Sequence, residues 1–315
     1  MRLIAVSMIR NEADILPDFL GHCAALFDEV LVVDHASTDG TSEILAAAAR
    51  RMPLTVLRFA QPPYVQSQLV TALAQDAFAR GADWVFPLDA DEFPMVAGRD
   101  DLAARLPHDA AAVQWRWRNL WPLGACDFAR FDARRDYEAL PPEACATVKI
   151  AISSRVPALL PDFAIGQGSH AVARLRERAG MPAEAGRLAH VPIRNPDRLV
   201  MKAVLGARSL AANPALPARS GNQWRRMAER PDRFDGAAGP ARLRRRALGY
   251  PGTSEPHAHV QTLTFAPARH IAGLPAGLPD AASVLAREAA LAWQPAPDPP
   301  WRILRRDDAL ELVTG

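Results

Sequence analysis

The amino-acid sequence predicts an α/β fold, a mostly parallel central sheet with helices on both faces, followed by a mainly helical or irregular C-terminal region. Three observations lead there. Short apolar runs alternate with amphipathic stretches at roughly 25-residue intervals through the first third of the chain, the pattern of βαβ units. Each apolar run is too brief for a helix and rich in β-forming residues. Polar clusters follow three of these runs, and right-handed crossovers would bring them to one rim of the sheet.

Leu3–Ile9 reads as the first buried strand, closed by the polar turn Arg10-Asn11-Glu12. Asp14–Leu26 carries Ile15, Leu16, Phe19, Leu20, Cys23 and Leu26 at helical spacing, which makes it an amphipathic helix. Val30–Val33 is the second strand and ends in Asp34-His35. Ser37–Glu43 then supplies turn and N-cap chemistry for a helix through Arg51. Leu54–Phe59 is a third strand. Ser67–Arg80 is a helix with Leu69, Val70, Leu73 and Phe78 inside, closed by Gly81. The fourth strand, Trp84–Leu88, opens the stretch WVFPLDADEF.

That stretch delivers Asp89, Asp91 and Glu92 to the carboxyl end of a buried strand, where open α/β sheets bind ligands. Three carboxylates at one point repel each other unless a cation shares them. A hard ion such as Mg2+ or Mn2+ takes one or two carboxylates and fills its other positions with phosphates and water. The stretch therefore points to a metal–diphosphate site. The plainer alternative is an acidic turn that ends a strand. An EF-hand is a poor fit, because Pro94 stands where that loop needs its glycine. No G-x-G-x-x-G follows the first strand and no G-x-x-x-x-G-K-[ST] occurs, so neither glycine-rich phosphate cradle is present. Asp34 is placed to accept hydrogen bonds from a ribose or a base, with a helix or turn cap as the alternative.

Three segments in order, SMIRNEADILPDFL, VLVVDHASTDGTSEIL and DWVFPLDADEF, resemble the family-2-like glycosyltransferases of the GT-A fold. The likeness covers about residues 1–95 and is to the bacterial branch in which R-N-E replaces P-x-x-N-E. It implies a GT-A-type fold and a nucleotide-diphosphate sugar donor, for which Arg10, Asn11, Glu12, Asp34, His35 and Asp89 on the shared rim are the candidate binding residues. Asp34 would lie near the base or ribose, and Asp89 and Asp91 would form the metal-binding D-x-D. His35-Ala36 departs from the Asp and Gly that relatives often show, which bears on base preference.

In the second half, Ala111–Arg118 alternates Val113, Trp115 and Trp117 with polar residues, as a strand with one polar face does. The tryptophans are either core or the wall of an acceptor pocket, since flat aromatics stack on sugar faces; Trp121 shares the question. Asp127–Glu143 is a charged, irregular excursion, and Ala146–Ser153 is a short strand containing Lys149. Gly166–His170 is a turn presenting a histidine. His190-Val191-Pro192-Ile193-Arg194 precedes a helix with Leu199, Lys202 and Leu205, and resembles the segment that closes the catalytic domain in the same branch.

A neutral imidazole, His170 or His190, would complete a metal shell, and Lys149, Arg194 or Lys202 would hold the diphosphate. For a base that takes the acceptor's proton, Asp132, Asp162 and His170 are the candidates. A histidine in a turn is otherwise a surface or structural residue.

The chain has 315 residues, 49% of them hydrophobic, enough for a sizeable core. The expected division is a catalytic domain over 1–205 and an Arg- and Pro-rich extension over 206–315. A formal charge of +2 argues against a general nucleic-acid binder. Only two of the 37 basic residues are lysines, Lys149 and Lys202. Cys23, Cys126 and Cys145 form no C-x-x-C pair, which fits a reducing compartment without structural zinc. No apolar run reaches the ~20 residues of a membrane span, so a cytoplasmic protein is expected. Arg219–Arg246 carries nine arginines against three acids: a solvated face, or a peripheral contact with anionic lipid.

The expected activity is transfer of a sugar from a nucleotide-diphosphate donor to a glycan or lipid-linked acceptor, with Mn2+ or Mg2+ and with inversion. A nucleotidyltransferase is the alternative enzyme, but the Gly-rich, basic N-terminal loop that usually marks one is missing. A non-catalytic sugar- or nucleotide-binding module of the same fold is the third reading.

Overall fold

The chain opens with three βα units and a fourth strand: β1 (Leu3–Ile9), α1 (Leu16–Leu26), β2 (Glu29–Asp34), α2 (Thr41–Ala48), β3 (Leu54–Arg58), α3 (Gln66–Ala79) and β4 (Trp84–Pro87). A middle section holds β5 (Glu92–Pro94), α4 (Arg99–Ala104), β6 (Ala112–Pro122), β7 (Arg135–Ala139), β8 (Val148–Ser153), α5 (Arg155–Leu159), α6 (Leu175–Ala179) and β9 (Ala183–His190). Then come α7 (Pro196–Ala211), α8 (Asn222–Ala228), α9 (Gly239–Leu248), β10 (Gln261–Phe265), α10 (Ala281–Ala290), β11 (Trp301–Arg306) and β12 (Ala309–Thr314). This computed structural model describes residues 1–61, 63–123, 135–213, 215–217, 220–229, 239–250, 261–265, 271–275, 279–291 and 301–314.

The strands run in the order β10-β7-β6-β8-β4-β1-β2-β3-β12-β11, and β9 pairs with β5 and β6. The centre, β4-β1-β2-β3, is parallel, as the βαβ pattern requires. The flanks turn antiparallel at β8 on one side and between β12 and β11 on the other. Successive side chains of β1 enter two cores, because a strand alternates its faces. Leu3, Ala5 and Ile9 pack with α1 and α2, while Ile4 and Val6 pack with α3. Helices therefore cover both faces.

Element ends moved where local chemistry decided them. The first helix begins at Leu16, with Pro17 in its opening turn, where the missing N–H costs nothing. The helix expected through Arg51 stops at Ala48. The tryptophan strand runs on to Pro122, because β7 pairs with its far end. The C-terminal region supplies strands as well as helices: β10 adds to β7, and the β11–β12 hairpin adds to β3. Among the described residues no helix is long and apolar enough to cross a membrane.

Candidate active site

A cleft of about 920 Å³, open to solvent, lies across the carboxyl ends of β1, β2 and β4. Its floor is Arg10, Asn11 and Glu12 after β1, His35 after β2, and Asp89 and Asp91 after β4. Helix α7 roofs it with Met201, Lys202 and Leu205, and Trp224 of α8 lies against Gly206 of α7, where a Cβ would come within 2.4 Å of the indole. Trp117, His190 and Tyr250 form the far wall.

The cleft's carboxylates are not bare. Lys149, 1% exposed, reaches Asp89 Oδ2 at 2.7 Å and Glu92 Oε2 at 3.1 Å. Lys202 reaches Asp91 Oδ2 at 2.9 Å and Glu12 Oε1 at 3.0 Å. Two ammonium groups thus supply the positive charge that the D-x-D was expected to need from a metal, which corrects the premise of that expectation. Burial opposes ionisation of Asp91, yet the Lys202 ammonium holds its carboxyl below the usual range. Glu92 moves the other way: burial, with Asp89 and Asp91 close by, raises its carboxyl despite Lys149. Glu92 also accepts from Trp117 Nε1 at 2.7 Å and from the Asp89 amide at 2.9 Å.

Arg194 departs from its expected role. It is buried against Asp14, at 2.7 and 3.0 Å, and against Glu12, so it pins the start of α7 to the β1–α1 turn rather than facing a phosphate. Arg198 does likewise through Asp39 at 2.7 Å and the Asn11 carbonyl at 3.1 Å. Asn195, in place of a hydroxyl residue, caps α7 by accepting from the Arg198 amide at 2.8 Å. Asp34 accepts from the Ser37 amide at 3.1 Å and from Ser42 Oγ, the arrangement of a turn cap. Lys149 lies beneath the cleft and Lys202 in it.

The histidines separate. His190 lines the cleft, stacked on Trp117 with ring centroids 3.9 Å apart, and burial pushes its imidazole down to about 4. His170 is not among the lining residues; it meets Trp117 edge-on at 5.5 Å, and its Nδ1 bonds the Val148 carbonyl at 2.6 Å. Its Nδ1 is committed to that carbonyl, and it stands behind Trp117 rather than among the residues that line the cleft. Asp162 is exposed and paired with Arg174 at 2.6 Å, which removes it as a base. Asp132 lies outside the described residues. His35 faces the cleft with Nε2 on the Gln61 carbonyl at 2.9 Å, and burial pushes it down to about 3.

Sequence reasoning missed Gln66, whose Nε2 donates to Asp89 Oδ1 at 2.9 Å, and the wall residues Tyr64, Trp224 and Tyr250. It also missed Glu288 of α10, fully buried, which takes Arg10 at 2.8 Å, Asn11 Nδ2 at 2.8 Å and Thr38 Oγ1 at 2.9 Å. Only a chain-wide pairing signal would have found these; no local pattern marks them.

Among the described residues no three His, Cys, Asp or Glu side chains form a group able to hold a metal ion. Asp91 and His190, however, both line the cleft. One or two carboxylates with the rest left to phosphate and water is the usual allotment for Mg2+ and Mn2+; Asp91 supplies a carboxylate, and His190 adds a nitrogen that Mn2+ accepts more readily than Mg2+. The donor set fits on those terms.

Fold and cleft together define an α/β protein with its cleft at the carboxyl ends of a parallel sheet centre. Residues 5–120 of the chain match the family model described as glycosyl transferase family 2. Comparison with curated proteins finds no match. Among solved structures, S. aureus TarS 1-349 in complex with UDP is 14% identical, over 76% of this chain and 73% of that one, with a TM-score of 0.37. Glucosyl-3-phosphoglycerate synthase from Mycobacterium tuberculosis, in complex with Mg2+ and UDP, is 16% identical over 67% and 77%, with a TM-score of 0.35. A longer S. aureus TarS structure is matched over only 29% of its length, at 15% identity and a TM-score of 0.33. Likenesses this loose carry no residue roles.

Proposed function

We propose that the chain moves a sugar from a nucleotide-diphosphate donor to a hydroxyl of a glycan, lipid-linked or polysaccharide acceptor, with inversion and with Mn2+ or Mg2+. One observation carries the reading. Inside the segment matched to family 2, Asp89 and Asp91 stand at the carboxyl end of β4 beside Lys202 and His190, facing an aromatic wall. Asp91 and His190 would hold the ion. When bound, it supplies Lewis-acid stabilisation of the departing diphosphate.

Lys202 lies in the cleft beside Asp91, where its ammonium meets phosphate charge as it develops. Trp117 and Tyr250 offer flat faces to a sugar ring. The acceptor oxygen attacks the anomeric carbon, the bond to the phosphate oxygen breaks, and the acceptor proton passes to a base. The arginine run adds a proposed contact with anionic lipid. Arg226, Arg242 and Arg245 are exposed, whereas Arg244 binds Glu138 and Arg246 lies 5.7 Å over the Tyr250 ring.

Thermal unfolding with UDP, GDP, CDP and ADP, each with and without Mn2+, tests the donor site. A ligand at 100 times its Kd adds about 2.7 kcal/mol. The reading is overturned if no nucleotide diphosphate stabilises the protein and no nucleotide sugar is consumed.

A further inference from the structure

Asn119 of β6 sits beside His190 of β9 in the parallel register. It is buried, and both ends of its amide are engaged. Nδ2 donates to the carbonyl oxygens of Leu248 at 3.2 Å and Tyr250 at 2.5 Å. Oδ1 meets His190 Nδ1 at 2.7 Å. A carbonyl oxygen cannot donate, so the two backbone carbonyls decide which end of the amide is nitrogen. Oδ1 can then only accept, and the proton of a neutral His190 must sit on Nδ1. Nε2 is left with the lone pair, on the ring of a residue that lines the cleft. Stacking at 20° on Trp117, itself tied to Glu92, restrains the ring plane.

We propose that Asn119 is a positioning residue: anchored by the chain leaving α9, it fixes His190 in the Nδ1–H tautomer and so presents the Nε2 lone pair to the cleft as a ligand for the divalent ion. This rests on the cleft reading above. It ties the Leu248–Tyr250 backbone, far along the chain, to the electronic state of a residue on the central sheet. It also sharpens the ion class. An imidazole nitrogen in the shell favours Mn2+ over Mg2+, which prefers oxygen throughout.

Long-range 1H–15N correlation on the full chain reads the tautomer, with His190→Asn assigning the ring, and electron paramagnetic resonance reads binding of Mn2+ alone. The parent is expected to show Nδ1–H. Asn119→Leu should mix or invert the tautomer and weaken Mn2+ by about 10–100-fold, the usual cost of losing such a partner. Asn119→Asp keeps an acceptor opposite Nδ1, so it should hold the tautomer and rescue Mn2+ binding while losing both bonds to the carbonyls. A merely structural residue would lower stability in both variants and leave the tautomer alone. A parent protonated on Nε2 overturns the proposal without any variant, and so does an Asn119→Leu protein with unchanged tautomer and Mn2+ affinity. A parent that is Nδ1–H but binds no Mn2+ instead overturns the ion reading and the ligand role with it.

Discussion

Replacing Lys149 by methionine separates charge from packing in the D-x-D cluster. The two side chains have similar length and volume, so no large cavity opens, and the change is the loss of one ammonium. Lys149 lies 2.7 Å from Asp89 and 3.1 Å from Glu92, and the Glu92 side chain has no exposure. Breaking a buried pair by removing one partner costs about 3–5 kcal/mol. Here the lower end applies. Asp89 is 34% exposed and keeps Gln66 at 2.9 Å, so water and that amide absorb much of its loss. Glu92 keeps Trp117 Nε1 and the Asp89 amide and, with its carboxyl already raised by burial, takes up a proton once the ammonium is gone. The expected cost is therefore about 3 kcal/mol, a more than hundredfold fall in the folded-to-unfolded ratio.

Urea unfolding of the parent, Lys149→Met, Glu92→Gln and the double variant completes a cycle. The double variant should be more stable than the sum of the single effects allows, because glutamine leaves no buried charge to strand. A single-variant loss under about 1 kcal/mol, or strict additivity in the cycle, would refute the view that Lys149 stands in for a cation.

Three other outcomes are expected. Asp91→Asn should abolish turnover and the Mn2+-dependent stabilisation by a nucleotide diphosphate while the fold persists, since Lys202 keeps Glu12 at 3.0 Å; full activity would refute the site. His22 is held down to about 4 by burial against Phe93 and Pro94, below the ~6.5 of the unfolded chain, so the unfolded state takes up its proton first. Stability should thus fall with pH below 6.5, by about 2 kcal/mol of His22 contribution between pH 7 and 5, and an unchanged urea-midpoint slope in His22→Gln would sink that assignment. Sedimentation with anionic vesicles should occur at low salt and fade as salt rises, whereas equal recovery with neutral vesicles would return the arginine run to a solvated face.

The sheet's centre was legible because strands buried on both faces read as unbroken apolar runs, as Leu3–Ile9 and Val30–Val33 do. The convergence of Arg10, Asp34 and Asp89 on one rim followed from parallel order alone. Partners distant in the chain were not legible. Glu288 meets Arg10 across 278 positions, and Lys149 meets Asp89 across 60, so a carboxylate cluster that looked unbalanced in its own segment was balanced from β8 and α7. The choice between His170 and His190 turned on which strand delivers its end to the cleft. That strand is β9, whose pairing with β5 brings His190 opposite Glu92.

The two lysines bear on why this chain, otherwise so rich in arginine, uses them here. An arginine presents a planar fork, and Arg194 lays it side-on against Asp14 while the same Nη2 reaches Glu12. Lys149 places a single ammonium between Asp89, which follows β4, and Glu92, which opens β5, from within a strand paired to β6 at Trp115. A compact ammonium with three rotatable donors meets that geometry. Lys202 faces the same demand between Glu12 and Asp91, with one difference: it is 32% exposed at the cleft. Its own exposure gives its ammonium a path to a phosphate oxygen, which Lys149, with a side chain 2% exposed, lacks. The first lysine thus sets the charge of the floor, and the second is the one free to answer a ligand.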